Sequence, residues 1–192
     1  MTRDDPRQKW NQRWRERRGE EMVADSWLLE NIPLLPVGKG LDLACGRGRN
    51  SLELARRGFS ICAIDYSADA LEQLQVAARR ANLSIATQVC DLEQALPSLA
   101  PDFDLVLCFF YLHRPLLPWM LQRVKPGGYA ILRTFSSAGN FPPGDLDAQF
   151  VLQPQELLSI FSGWEILRHE EGLEPSRKGG SLAGILARKP PL

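Results

Sequence analysis

Apolar positions along the chain alternate between short continuous runs and longer stretches with one apolar face. The runs Lys39–Ala44, Phe59–Asp65, Ser84–Cys90, Phe103–Phe109, Tyr129–Thr134, Trp164–Glu170 and Leu182–Arg188 read as strands. Between them the spacing predicts a helix over Arg49–Arg57, stopped by Gly58, and another capped by Ser67 with Leu71, Leu74 and Ala78 on its core side. A helical turn follows around Glu93–Leu96, a helix lies within Pro115–Val124, and another spans Pro154–Phe161. Strands that alternate with helices predict a doubly wound, mostly parallel α/β sheet of seven strands with helices on both faces. Phe103–Phe109, almost continuously apolar, is its central strand. A glycine-rich link without helical pattern joins the last two runs, so these strands pair antiparallel.

Ahead of this alternation lie a helix over residues 5 to 18, with Trp10 and Trp14 one turn apart, and a short one over Asp25–Asn31. Pro33 and Pro36 then break the chain. The 192 residues therefore read as a single domain, a helical segment 1–36 before a core 37–192.

Charge narrows the function classes. Lysine plus arginine equals aspartate plus glutamate, 23 each, so no global field draws the chain to nucleic acid or lipid. The basic start (Arg3, Arg7, Lys9, Arg13, Arg15, Arg17 and Arg18 against Asp4, Asp5 and Glu16) reads as a solvated helix face. No apolar run approaches the ~20 residues of a membrane span, and the N-terminus lacks a signal-peptide core. The expectation is a cytoplasmic protein, monomer or homodimer, with no membrane or nucleic-acid partner. Cys45, Cys62, Cys90 and Cys108 lie in or beside apolar runs without Cys-x-x-Cys spacing, so packed thiols are expected, with no metal.

The candidate chemistry centres on Leu41-Asp42-Leu43-Ala44-Cys45-Gly46-Arg47-Gly48-Arg49-Asn50, a strand running through a glycine turn into a helix. Glycines there let a ligand approach main chain. A carboxylate inside the strand, Asp42, is costly unless donors or a ligand satisfy it. Asp65 ends the next strand, where an acid suits two ribose hydroxyls. A nicotinamide or flavin turn would want a third glycine, but Ser51 stands there, and an apolar residue in place of Asp42. S-adenosylmethionine, with its cationic sulfonium and ammonium and no phosphate, suits an acid beside the turn.

These residues resemble the class I S-adenosylmethionine-dependent methyltransferases. Asp42, Ala44, Gly46 and Gly48 match the family's acidic-x-Gly-x-Gly-x-Gly motif, with Ala44 departing at the first glycine. The resemblance implies a Rossmann-like fold with the final strand inserted antiparallel, and S-adenosylmethionine as cofactor. It implies that Asp65 grips the ribose, that Asp91 and the Leu92 amide meet the adenine, and that Phe109 ends the fourth strand beside the methionine part. Cys45, Asn50 and Tyr66 join this cofactor set. Lys125-Pro126-Gly127-Gly128 matches the turn before the fifth strand. Trp10-Asn11-x-Arg13-Trp14, Cys45-Gly46-x-Gly48-Arg49-Asn50 and the Ala187–Pro190 end are similar to the tellurite-resistance methyltransferases, related in style to thiopurine methyltransferases. That narrower resemblance implies that the N-terminal helix folds over the cofactor as a lid; docking of Trp10 and Trp14 on the core is the plainer alternative.

In-line methyl transfer needs position and desolvation more than acid–base chemistry, and a soft nucleophile needs no strong base. His113, after the fourth strand, is the candidate base, and Trp10, Arg13, Trp14, Tyr111 and Arg133 are candidate substrate residues. Each has a plain structural alternative, and His169 reads as structural. Cys45, Cys90 and Cys108 could bind a metalloid or pack like small apolar groups. The segment Cys108-Phe109-Phe110-Tyr111 lacks the Asn/Asp-Pro-Pro-Tyr of amino methyltransferases, which disfavours nucleic acid or glutamine as acceptor. The expected function is methyl transfer to a small molecule; a cofactor-binding module without catalysis is the alternative.

Overall fold

The computed structural model describes residues 6–191. Arg3, Asp4 and Asp5 of the basic run, and the side chains of Arg7 and Lys9, lie outside the described residues. Seven strands form one sheet in the order β3-β2-β1-β4-β5-β7-β6, taking β1 as Lys39–Leu43, β2 as Ser60–Asp65, β3 as Ile85–Val89, β4 as Phe103–Phe109, β5 as Val124–Ser136, β6 as Glu165–Pro175 and β7 as Ser181–Arg188. The expected mostly parallel sheet is present: β1 with β2, β2 with β3 and β4 with β5 are parallel, and β7 is antiparallel to β5 and β6. The chain divides into two compact units, one ending at Ser98 and the other starting at Leu99.

The first unit holds β1–β3 with α1 (Pro6–Glu16), α2 (Ser26–Asn31), α3 (Arg49–Arg56) and α4 (Ala68–Arg80). Asp25 caps α2 by accepting from Trp27 N at 3.1 Å, and Ser67 caps α4 by accepting from Ala70 N at 3.2 Å. Leu71, Leu74 and Ala78 of α4 are buried, as their spacing predicts, together with Leu52 and Leu54 of α3 and Leu41 and Leu43 of β1. Their burial pins β1 and β2 in register, Asp42 opposite Ala63, so both strands end at the glycine turn.

The second unit holds β4–β7, α5 (Leu117–Arg123) and α6 (Glu156–Ile160). Leu105 to Phe109 are all buried, the pattern of a strand covered on both faces. Here the structure departs from the predicted boundaries. Lys125–Gly128 is not a turn outside the strand but a looped-out segment within β5, because Phe103 pairs with Val124 and Leu105 with Tyr129. Lys125 is held there by an ion pair to Asp104, and Gly128 lies 3.0 Å from the Lys125 carbonyl at the point where a Cβ would sit. The helix predicted within Pro115–Val124 opens as a 3₁₀ turn over Arg114–Leu116 before α5, since prolines 115 and 118 bring no amide hydrogens. The terminal strand pair runs longer than expected, and β6 lines the sheet edge with Glu165, Arg168, Glu170, Glu171 and Glu174, charges that discourage edge pairing.

Gly48 shows how tightly the first unit is built. Its φ is +72°, and a Cβ would lie 2.5 Å from both methyls of Leu74, itself fully buried. Gly163 has φ +80° with open space around it. Gly163→Ala should therefore cost about 1 kcal/mol of backbone strain, and Gly48→Ala about 2–4 kcal/mol because overpacking adds to it. Urea unfolding midpoints check this; equal losses would mean that Leu74 gives way freely.

Candidate cofactor site

The turn after β1 takes three left-handed residues within five positions: Ala44 at φ +52°, Gly46 at +57° and Gly48 at +72°. Ala44 stands where the motif has its first glycine and takes the conformation a glycine would, at a cost of roughly 1 kcal/mol. The turn is tied down by Cys45 N donating to Ile64 O (3.0 Å) and Gly48 N to Cys45 O (2.9 Å). Helix α3 then starts directly at Arg49.

Two carboxylates flank this turn. Asp42 is fully buried and accepts from the Ser51 hydroxyl at 2.6 Å. Burial, and then the nearby charge of Asp65, push it up to about 7 despite the Ser51 bond. Ser51 is the residue that fails the dinucleotide pattern; its hydroxyl is the donor that a buried Asp42 requires, a link that residue spacing alone does not reveal. Asp65 accepts from Gly46 N at 2.6 Å with one oxygen and from Ser67 N at 2.8 Å with the other. Burial raises its pKa against these amide bonds. The Tyr66 amide also lowers it, so three main-chain amides gather on Asp65, and of a carboxylate's roughly four acceptor positions about one is left for a ribose hydroxyl, which a second can share.

Other predicted cofactor residues take varied places. Asn50 is buried and accepts from Asp25 N at 3.0 Å, tying the start of α2 to α3. Tyr66 is half-buried and follows Asp65. The Asp91 side chain accepts from Glu93 N at 3.0 Å and shapes the turn there, while Leu92 is buried. Burial raises Cys45 well above an ordinary thiol and also raises Cys62 and Cys90, so these free cysteines are protonated near neutral pH.

The tryptophan helix lies on the same turn. The Trp14 ring comes within 3.1 Å of where a Gly46 Cβ would stand. Gln73 donates to Trp14 O at 2.8 Å, the Ser67 hydroxyl donates to Asn11 Oδ1 at 2.5 Å, and Arg15 grips Asp69 with two bonds of 2.9 and 3.0 Å. Trp10 stacks on Trp14 with centroids 6.1 Å apart, and the Arg13 guanidinium sits 4.9 Å over the Trp10 ring. Buried Arg47, inside the turn, donates to Arg17 O at 2.5 Å and to Glu20 O. Arg47 occupies an unspecified motif position, so residue spacing carries no signal for it.

In the second unit, Phe109 ends β4 buried, and Phe110 follows at φ +57°, 37% exposed, its amide donating to Arg133 O at 2.7 Å. The Phe110 ring lies 5.7 Å from that of Phe135. Tyr111 and His113 are half-buried, and the His113 carbonyl accepts from Leu116 N. Arg133 is buried, faces Gly184 in the β5–β7 register and pairs with Glu174 of β6. Arg114 carries no signal in the sequence, yet its guanidinium binds both Glu156 oxygens (2.6 and 2.9 Å), Gln149 O and Val151 O, clasping the segment before α6. His169 sits 3.8 Å from Glu171 in β6.

The family model for the tellurite resistance protein TehB matches residues 13–180. This chain belongs to the TehB family. It is 28% identical over 166 residues to a probable S-adenosyl-L-methionine-dependent methyltransferase TehB of Haemophilus influenzae, covering 79% of this chain and 57% of that protein. It is 31% identical over 180 residues to an uncharacterized methyltransferase of Synechocystis, covering 83% of this chain and 80% of that one. The TehB crystal structure from Haemophilus influenzae superposes with a TM-score of 0.74 at 22% identity, covering 91% of this chain and 65% of that one. The chain thus spans little more than half the length of the curated TehB proteins it matches. The family is that of the tellurite-resistance type within the class I S-adenosylmethionine-dependent methyltransferases, and the seven-stranded sheet is theirs.

The raised pKa of Asp42 carries a sign. The unfolded chain ionises this group near the ordinary 3.8, the folded chain only near 7. Between those values the native state holds a proton that the unfolded state lacks, so stability falls as pH rises from about 4 to 7, and the full cost is present above 7. Asp42→Asn keeps an acceptor for Ser51 and removes the charge. Denaturation midpoints at pH 5 and pH 8 should show a smaller loss for Asp42→Asn than for wild type, by at least ~1 kcal/mol; equal losses would place the ionisation elsewhere.

Proposed function

We propose that this chain transfers the methyl group of S-adenosylmethionine in line to a small-molecule acceptor, with a soft sulfur, selenium or tellurium nucleophile as the first class. The observation that carries this reading is the pair of buried carboxylates, Asp42 and Asp65, on either side of a turn with left-handed glycines. A buried pair of acids with one amide-rich and one hydroxyl-bound member favours a cationic ligand that also presents a diol. A dinucleotide would bring pyrophosphate charge next to both acids, which disfavours it.

Bound S-adenosylmethionine supplies an electrophilic methyl on a sulfonium. In this reading Asp65 accepts from the ribose hydroxyls, Asp91 from the adenine amino group with the Leu92 amide donating to a ring nitrogen, and Asp42 balances the cationic methionine end directly or through water. Gly46 allows main chain to approach, and Cys45, Asn50 and Tyr66 shape the turn around it. Phe109 joins the cofactor set, and Trp10, Arg13, Trp14 and Tyr111 are the candidate acceptor residues, while buried Arg133 stays in its pair with Glu174. The protonated cysteines supply no thiolate, so the nucleophile comes with the substrate. His113 takes the proton where the acceptor carries one. TehB membership supports a soft acceptor, and the near-zero net charge supports a small molecule over nucleic acid. Among the described residues no helix is long and apolar enough to cross a membrane. We place the protein in the cytoplasm, as one domain.

The test is calorimetric titration with S-adenosylhomocysteine, followed by product formation from labelled cofactor with thiols, selenite and tellurite. Wild type should bind in the micromolar range and methylate at least one soft acceptor, and Asp65→Ala should lose roughly 10- to 100-fold in affinity as charge-assisted bonds go. Unchanged affinity in Asp65→Ala would sink the ribose assignment. Binding without turnover of any acceptor would favour the non-catalytic module.

A further inference from the structure

Arg47 is the residue of the glycine turn that neither the motif nor the cofactor chemistry uses. Its guanidinium is 7% exposed, yet no carboxylate holds it closely: Glu20 stands 3.8 Å away. Instead it donates to two main-chain carbonyls, Arg17 O and Glu20 O, in the segment that leaves α1. Its Nε has no acceptor among the described residues. A guanidinium stripped of water, with Glu20 only at 3.8 Å, depends chiefly on those two carbonyls for its place. Carbonyls beyond a helix C-terminus lack intrahelical donors, and the helix dipole favours a cation there.

Position makes this grip more than a packing detail. Arg47 lies between Gly46, whose amide binds Asp65, and Gly48, which sits against Leu74. The side chain that holds α1 therefore belongs to the same three residues that form the floor of the candidate site. Trp14, on α1, covers the side of Gly46 where a Cβ would stand, and Gly46 is buried. Two exposed ion pairs, Arg15 of α1 with Asp69 and Arg18 just beyond it with Glu72, contribute little, and the other polar anchors of α1 are the bonds from Gln73 to Trp14 O and from Ser67 to Asn11.

We propose that Arg47 is a latch, a positioning residue that keeps α1 closed over the glycine turn and so sets how long the cofactor stays bound. The proposal rests on the cofactor reading above for its second half only, because closure of α1 is measurable in the ligand-free protein. Arg47→Met removes the donors while keeping most of the stem, and Arg47→Lys keeps the charge and three donors but not the planar fork or its reach.

Hydrogen exchange of the ligand-free protein reads the first half. Amides of Gln12–Arg17 should exchange at least roughly tenfold faster in Arg47→Met and less so in Arg47→Lys, while β1 and β2 keep their protection. Release of S-adenosylhomocysteine, followed by stopped flow with excess competing cofactor, reads the second. Its off-rate should rise by a similar factor, with the on-rate unchanged or faster. Unchanged exchange in α1 overturns the latch, as does loss of protection throughout β1 and β2, which would make Arg47 part of the fold. Faster α1 exchange with an unchanged off-rate overturns control of the cofactor. If wild type binds no S-adenosylhomocysteine, the cofactor reading fails, and the exchange result still decides whether Arg47 holds α1.

Discussion

Two carboxylates buried at the ends of neighbouring parallel strands set the terms for the first unit of this protein. Asp42 and Asp65 are forced inward because β1 and β2 are locked in register by Leu41, Leu43, Ile61 and Ile64, all buried. Neither acid can be left bare there. Asp65 takes the amides of Gly46 and Ser67, which bends the turn and positions the cap of α4. Asp42 takes the Ser51 hydroxyl, which fixes the first turn of α3. Both helix starts are thus arranged around negative charge.

That arrangement stores unfavourable free energy at one place. Ala44 is held at a positive φ, Asp42 is burdened by desolvation and by its neighbour's charge, and Arg47 is buried with an orphan Nε. In the proposed reading a cationic ligand would relieve the part of this that comes from Asp42 and Asp65. The same surplus of negative charge distinguishes the site from a pyrophosphate cradle, where helix amides face an anion.

Much of this was legible in the sequence, since strand periodicity and short-range signals are local. The seven strands, the buried run Phe103–Phe109, the Ser67 cap and the antiparallel end all follow from apolar spacing and turn residues. Asp42 and Asp65 stood out for the same reason, as acids at the ends of apolar runs. Contacts made across long sequence separations did not: Ser51 against Asp42, Arg47 against Arg17 and Glu20, and Arg114 against Glu156 are side-chain pairings that periodicity cannot encode. The looped-out Lys125–Gly128 was misplaced because its Pro-Gly-Gly composition marks a turn without saying that strand pairing resumes on both sides. In the second unit the exposed, left-handed Phe110 gave no sequence signal, because only glycine and asparagine advertise that conformation.

If a cationic cofactor relieves a raised carboxylate, binding must move a proton. Calorimetric titration of S-adenosylmethionine near pH 7, in buffers of different ionisation enthalpy, counts that proton directly. With Asp42 poised at about 7, the account predicts net proton release on binding the sulfonium, less with the uncharged thioether S-adenosylhomocysteine, and little in Asp42→Asn. Binding of S-adenosylmethionine with no proton exchange, or the same release from Asp42→Asn, would contradict the claim that the buried acid pair is built to receive positive charge.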